Sequence, residues 1–270
     1  DTNYIEEELK NKDTTFDTIG TTEKPDVVAS KLLEGKIAII VDGTPFVITA
    51  PYFFIDNFQT PDDYYSNVYF ANASRLMRVV SFFAASLLSG LYLSIATYHF
   101  SIIPSVLAVK FTMSRADVPL PTVIELLLMT FFFQLLREAG IRLPQSIGQA
   151  MSIVGALILG DAVVGVGLAS QSTVVIVALS SISSFLVPKL YGALSIWNIV
   201  IIIFSSVLGL PGFYIGFFIF IAHMAGLESC GYPYLFPMGT LESFKFKDVL
   251  YRKDLNKISN SIFDEDDYNE

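Results

Sequence analysis

The sequence has a single cysteine, Cys230, so no internal disulfide can form and a secreted, disulfide-stapled scaffold is excluded. It has two histidines, His99 and His223, with no third ligand at a metal-site spacing, so both are expected at helix ends rather than on a metal. Charge is also scarce. Charged residues make up 16% of the chain, against about a quarter in an ordinary soluble domain. No basic face is visible, which excludes nucleic acid as a partner, because binding there rests on lysines and arginines that displace counterions. P-loop, zinc-protease and nucleophile-elbow motifs are missing. Gly165-Val166-Gly167 lacks the third glycine and the preceding soluble strand of a dinucleotide fingerprint. No enzyme class and no cofactor is therefore expected.

What is abundant is apolar surface. Hydrophobic residues are 53% of 270, with 23 Phe and 13 Tyr, and mean hydropathy is +0.55. The charges that exist sit at the ends. Residues 1–78 hold 13 acidic and 7 basic side chains, residues 79–228 hold 5 and 5, and residues 229–270 hold 8 and 5. A nearly charge-free middle between two acidic ends predicts a membrane protein, with lipid as its first partner.

Residues 1–22 carry no apolar period and are expected to be a flexible acidic lead-in. Residues 25–36 predict a helix stopped by Gly35. Ile37 to Val41 predicts a strand, Asp42-Gly43 a turn, and Pro45 to Ala50 a returning strand. Segment 23–74 thus reads as the end of a small α/β soluble domain, too small to stand alone. The chain opens on Asp1 with a mainly polar stretch over residues 1–35, and an upstream domain is expected outside this sequence. From Pro61 an amphipathic helix is expected to run through Arg75 and Arg78 straight into the membrane, with Tyr64, Tyr65 and Tyr69 at the interface.

Residues 75–228 then read as a helical bundle of about five or six spans, at 79–99, 119–136, 145–166, 171–188, 191–210 and 212–228. Arginines and lysines mark alternate connections, which places both termini in the cytoplasm; Lys110 and Arg115 fall on the wrong side of that pattern. The connection 100–118 is apolar and reads as interfacial or re-entrant. Residues 229–270 read as a cytoplasmic acidic tail. The fold class is therefore mainly α: a polytopic bundle, the end of a soluble domain before it and a short polar tail after it.

Glu125 and Asp161 are carboxylates at membrane depth. Each faces protein or water as a functional group, or is a neutral hydrogen-bonded acid in a helix contact. Arg137, Glu138 and Arg142 cluster at one helix end, as an anchor or a gate. In the third stretch Gly148, Ser152, Ala156 and Gly160 recur at four-residue steps, with Gln145, Gln149 and Ser152 as a polar stripe beside them. Such a helix suits either a pore lining or tight packing in a bundle.

Four motifs lead further: Pro25-Asp26-Val27-Val28-Ala29 with Val41-Asp42-Gly43-Thr44-Pro45-Phe46; Leu135-Leu136-Arg137-Glu138-Ala139-Gly140-Ile141-Arg142-Leu143-Pro144; Ser152-Ile153-Val154-Gly155-Ala156-Leu157-Ile158-Leu159-Gly160; and Gly231-Tyr232-Pro233-Tyr234-Leu235. Through them the chain resembles the A-subunit family of bacterial spore germination (GerA-type) nutrient receptors, from about residue 23 to 240. The resemblance implies a ring homo-oligomer forming a nutrient-gated monovalent-cation channel in the spore inner membrane. It implies a transporter-like B subunit and a C lipoprotein as partners, the nutrient being bound by a partner. The alternatives are a secondary transporter or a non-conducting scaffold subunit of the receptor.

Overall fold

The structure, a computed structural model, describes residues 2–12, 14–144, 147–148, 153–155 and 157–238. It is mainly helical and divides into two compact units, one of Asp1–Val80, Val187–Ala193 and Phe220 onward, the other of Ser81–Leu186 and Leu194–Ile219.

The first unit is built on a three-stranded antiparallel sheet. Strand β1 (Gly20–Thr22) and strand β2 (Ile37–Ile40) flank the central strand β3 (Val47–Ala50). Thr21 and Ile39 both lie opposite Ile48. Helix α1 (Thr2–Leu9) contributes Ile5 to the cluster of Ile19, Ile48 and Ala50, and helix α2 (Pro25–Leu33) leads into β2. Gly43, at φ +87°, takes the left-handed conformation that the turn between β2 and β3 needs. The helix, two strands and turn expected over 25–50 are all present. Residues 1–22 differ from the expected flexible lead-in: they hold α1 and β1. The polar surface of α1 hid its inward Ile5, and β1 exists through pairing with residues 25 or more positions away.

The expected helix from Pro61 is broken. A four-residue helix, α3 (Asp62–Tyr65), ends at Ser66, which is extended at ψ 166°. Helix α4 (Val68–Tyr98) then starts afresh, with Asn67 Oδ1 accepting from Tyr69 N at 3.1 Å. An Asn in that position satisfies an orphan amide, which is why the chain restarts there.

The segment 228–238 belongs to the first unit rather than to a solvated tail. It makes a two-stranded ribbon of β4 (Glu228–Ser229) and β5 (Tyr232–Pro233). Phe16, fully buried, meets the rings of Phe220 and Tyr234, each with centroids 6.1 Å away. The rest of the expected tail, 239–270, lies outside the described residues.

The second unit is helical. It holds the rest of α4, then α5 (Ser105–Ser114), α6 (Thr122–Arg142), α7 (Gln171–Phe185) and most of α8 (Tyr191–Leu208) and α9 (Leu210–Ala225). Leu93, Leu126, Met129, Val177 and Ile202 form its core. Gly90 lets α8 close on α4: a Cβ there would lie 2.6 Å from Ile201 Cγ2. Asn198 Nδ2 and Ser180 Oγ both donate to the Ala85 carbonyl, at 2.9 and 3.0 Å.

Among the described residues two helices are long and apolar enough to cross a membrane, Val68–Tyr98 and Pro188–Leu208. This is fewer than the five or six spans expected. Helix α6 is 21 residues long but carries Glu125, Arg137, Glu138 and Arg142. Helices α7 and α9 have 15 and 16 residues. At about 1.5 Å per residue they reach roughly 23 Å, short of a core about 30 Å thick. Helix α5, with 10 residues, reaches about half the core.

Candidate functional site

Pro121 starts α6 and puts Glu125 in its first turn, where the helix dipole favours a carboxylate. Glu125 is fully buried. Its Oε2 accepts from the Ser170 amide at 3.0 Å and from Thr173 Oγ1 at 3.0 Å. Ser170 is the N-cap of α7, its Oγ accepting from the Thr173 amide. Glu125 therefore adds a carboxylate to the capped start of a second helix. Its Oε1 faces Arg115 Nη2 at 3.2 Å, and Arg115 also donates to Thr122 Oγ1. Tyr92 OH lies 3.3 Å from Thr173 Oγ1, and Ser114 Oγ lies 2.9 Å from Ser172 Oγ. This polar knot ties α4, α5, α6 and α7 together.

The knot contains a carboxylate, a guanidinium and hydroxyls, but no nucleophile set against a general base. Among the described residues no group of three His, Cys, Asp or Glu side chains is placed to hold a metal. Its chemistry is that of a neutralised, hydrogen-bonded anchor. Arg115, which broke the charge pattern of the connections, is the cation that Glu125 requires.

Asp161 has different surroundings. It lies on a π-helical turn, Ile158–Ala162, and is exposed. Gly160 beside it is also exposed, and a Cβ there would meet nothing within 4 Å. Gly155 is in close contact with α6: a Cβ there would lie 2.4 Å from Leu136 Cδ2. Gly148 approaches the Gly140 carbonyl. Of the small and polar stripe, Gln145, Gln149, Ser152 and Ala156 lie outside the described residues. A π turn inserts one extra residue and re-aims the following side chains, and such turns recur at functional positions.

Arg137, Glu138 and Arg142 do not form one cluster. Glu138 and Arg142 pair at 2.6 Å on an exposed face, as four-residue spacing allows. Arg137 is turned about 100° from Glu138 and reaches α7 instead. There its Nη1 donates to Ser184 Oγ at 2.7 Å and its guanidinium lies 4.6 Å from the centre of the Phe185 ring.

Two charge networks in the first unit were not singled out from the sequence. Asp56 lies between Lys31 Nζ and Lys36 Nζ, 2.7 Å from each. Burial alone would raise its pKa, but the two ammonium groups hold it well below the usual carboxylate range. For Lys31, Asp56 and Glu34 outweigh burial and raise its pKa. Burial, helped by the neighbouring Lys31 charge, lowers that of Lys36. The second network centres on Asp63. It accepts from Arg78 twice at 2.8 Å, from Arg75 Nε at 3.1 Å and from the Thr60 amide and hydroxyl. Neither pairing has a periodic signature, since Lys36 and Asp56 are 20 residues apart.

Comparison with known proteins gives a consistent result. The family model "Bacillus/Clostridium GerA spore germination protein" matches residues 1–261. The chain is 44% identical over 252 residues to spore germination protein KA of Bacillus subtilis strain 168, covering 92% of this chain and 46% of that protein. It is 39% identical over 244 residues to spore germination protein GerQA of Bacillus cereus, covering 90% and 49%. It is 38% identical over 252 residues to YfkQ of Bacillus subtilis strain 168, an uncharacterized membrane protein, covering 92% and 49%. The chain spans about half the length of these relatives. No solved structure matches.

Proposed function

Because the chain belongs to the GerA family of spore germination proteins, the A-type subunits of germinant receptors, we propose that it builds a homo-oligomeric, nutrient-gated channel for monovalent cations. In this reading the bundle crosses the spore inner membrane several times and the soluble unit lies in the cytoplasm. A transporter-like B subunit and a C lipoprotein complete the receptor, and a partner binds the nutrient.

One observation carries the channel reading: the exposed Gly160-Asp161 pair on the π turn. A carboxylate open to hydrocarbon is costly, so an exposed one on an apolar helix calls for water or a neighbouring subunit. A ring that turns this face toward its axis supplies both, and a ring of carboxylates favours cations. Glu125 is not available for that role, because Arg115, Ser170 and Thr173 already occupy it. The stripe of Gln149, Ser152 and Ala156 would continue the same lining.

Native mass spectrometry of the full-length subunit in detergent tests the ring. A closed oligomer of several copies is expected, and a monomer removes the axis on which the channel depends. Ala156→Trp tests the lining: it should block nutrient-triggered potassium release or cause leak without nutrient. Normal release from spores carrying it takes this segment out of the pore and leaves the scaffold reading ahead.

A further inference from the structure

Two cations in the connection 100–118 break the charge pattern of the chain, and Glu125 accounts for one of them, Arg115. Lys110 is the other. It is exposed on α5, and among the described residues no carboxylate pairs with it.

No residue of α5 is buried. Its inner side is narrow. Phe111 meets the Tyr92 ring with centroids 6.1 Å apart, and Ser114 Oγ lies 2.9 Å from Ser172 Oγ. The exposed side carries Val106, Leu107, Val109 and Met113, with Val106 70% and Met113 71% exposed. The Thr112 hydroxyl beside them donates to the Ala108 carbonyl at 3.0 Å and so needs no water. Four bare apolar side chains on ten residues call for a cover other than water.

Position decides what that cover is. Helix α5 follows the end of α4, which is long and apolar enough to cross a membrane, after one short turn at Phe100–Ile102 and Pro104. Tyr98, the last residue of α4, donates from its OH to the Ser206 carbonyl near the end of α8. Ser172, the contact of Ser114, stands in the first turn of α7. The ends of α5 are thus tied to helix ends, not to the middle of the bundle. Its ten residues reach about 15 Å, too short to cross the core. A membrane boundary supplies acyl chains for the apolar side chains and phosphates within reach of a lysine stem.

We propose that α5 is a lipid-binding helix at the membrane boundary, its exposed face taking the acyl chains of an anionic phospholipid and Lys110 the phosphate. The proposal rests on the reading that the bundle crosses a membrane, not on ion conduction. Each misplaced cation then has its partner: Arg115 has Glu125 inside the chain, and Lys110 has a headgroup outside it.

Spin labels at Val106, at Met113 and at the exposed Phe83 of α4 test the placement. The full-length subunit is reconstituted in vesicles of phosphatidylcholine and phosphatidylglycerol. Oxygen should relax all three labels more than a water-soluble nickel chelate does, with 106 and 113 shallower than 83. Nickel access at 106 and 113 alone overturns the proposal. Nickel access at 83 as well defeats the membrane reading beneath it. Shielding of 106 and 113 from both reagents means that protein covers the face, and a depth at the bilayer centre means a re-entrant segment; either result overturns the proposal.

Native mass spectrometry of the same subunit with its retained lipids tests Lys110. Lys110→Gln should lower retained phosphatidylglycerol by about fivefold, the worth of one lysine at an anionic surface. Lys110→Arg should keep it, and added inorganic phosphate should displace none. Equal retention in Lys110→Gln overturns the phosphate contact. Displacement by inorganic phosphate makes Lys110 part of a free-anion site and overturns the lipid assignment.

Discussion

Arg75 Nε lies 3.1 Å from Asp63 Oδ2, and both side chains are almost wholly shielded from water. A guanidinium buried this deeply on an apolar helix needs a counter-charge, and Asp63 supplies one, with the centre of the Tyr64 ring 5.6 Å from the guanidinium carbon. Arg78 binds the same carboxylate, and Asp63 is held below its ordinary pKa by those hydrogen bonds despite its burial. Asp63→Ala is expected to destabilise the first unit by about 3–5 kcal/mol, the usual cost of breaking a buried pair on one side. Thermal unfolding of the full-length subunit in detergent would register it. A melting temperature equal to wild type would show that the pair is not buried in solution.

Asp56 sets an acid limit. Its folded pKa lies below its unfolded value, so its stabilising contribution is complete above the unfolded carboxylate pKa, about 4. The contribution is lost as pH falls from there toward the folded pKa. Stability of the first unit should hold from pH 7 to 5 and drop below about pH 4. Asp56→Asn should lower stability at pH 7 and flatten the acid limb. A limb that keeps its full slope in that variant would assign it to other carboxylates.

Glu125 and Arg115 should behave as one unit. Glu125→Gln keeps an acceptor for Ser170 and Thr173 but removes the charge facing Arg115, and Arg115→Met does the reverse. A double-mutant cycle is expected to give a coupling of about 1–3 kcal/mol, because the two groups touch. Protease resistance of the α5–α6 connection is a suitable readout. Coupling near zero would mean that the carboxylate needs only its hydroxyl and amide donors.

Asp161 should separate stability from flux. The residue is exposed, so Asp161→Asn should change stability by no more than about 0.5 kcal/mol. Under the channel reading the same change should lower the ratio of potassium to chloride released on germination. Loss of stability with unchanged ion ratios is the opposite pattern and would make Asp161 a packing residue.

Gly90→Ala offers a packing test. The new Cβ would stand 2.6 Å from Ile201 Cγ2, on a branch too close to the α8 backbone to swing away. A cost of about 1–3 kcal/mol is expected, as for other overpacked helix contacts. In an Ile201→Ala background, which removes Cγ2, the added cost of Gly90→Ala should shrink, and failure to do so would place the clash elsewhere.

Local signals carried the sheet. Asp42-Gly43 between two β-branched runs needs only its own few residues, and the structure has the turn there with Gly43 at positive φ. Non-local pairing hid β1, whose partner is β3, and hid Arg115, whose partner sits beyond a break made by Pro119 and Pro121. The helix break at Ser66 escaped because the apolar pattern runs on through it, while Asn67 silently supplies a new cap. The Arg137 group was legible as charge but not as geometry. Neighbouring residues on a helix point in different directions, so Arg137 parts from Glu138 and Arg142.

The hydrogen bond from Ser229 to the Thr18 carbonyl joins residues 211 positions apart. Between them lies every long apolar helix among the described residues. At ribosomal speeds of roughly 5–20 residues per second, Thr18 waits on the order of ten to forty seconds for its partner. The sheet can begin early, yet Phe16 and Tyr52 stay uncovered until Tyr234 emerges. Closure of the first unit thus waits until these helices have been made. A chain whose helices are misthreaded leaves its aromatic core open to water, with Phe16 short of its Tyr234 partner.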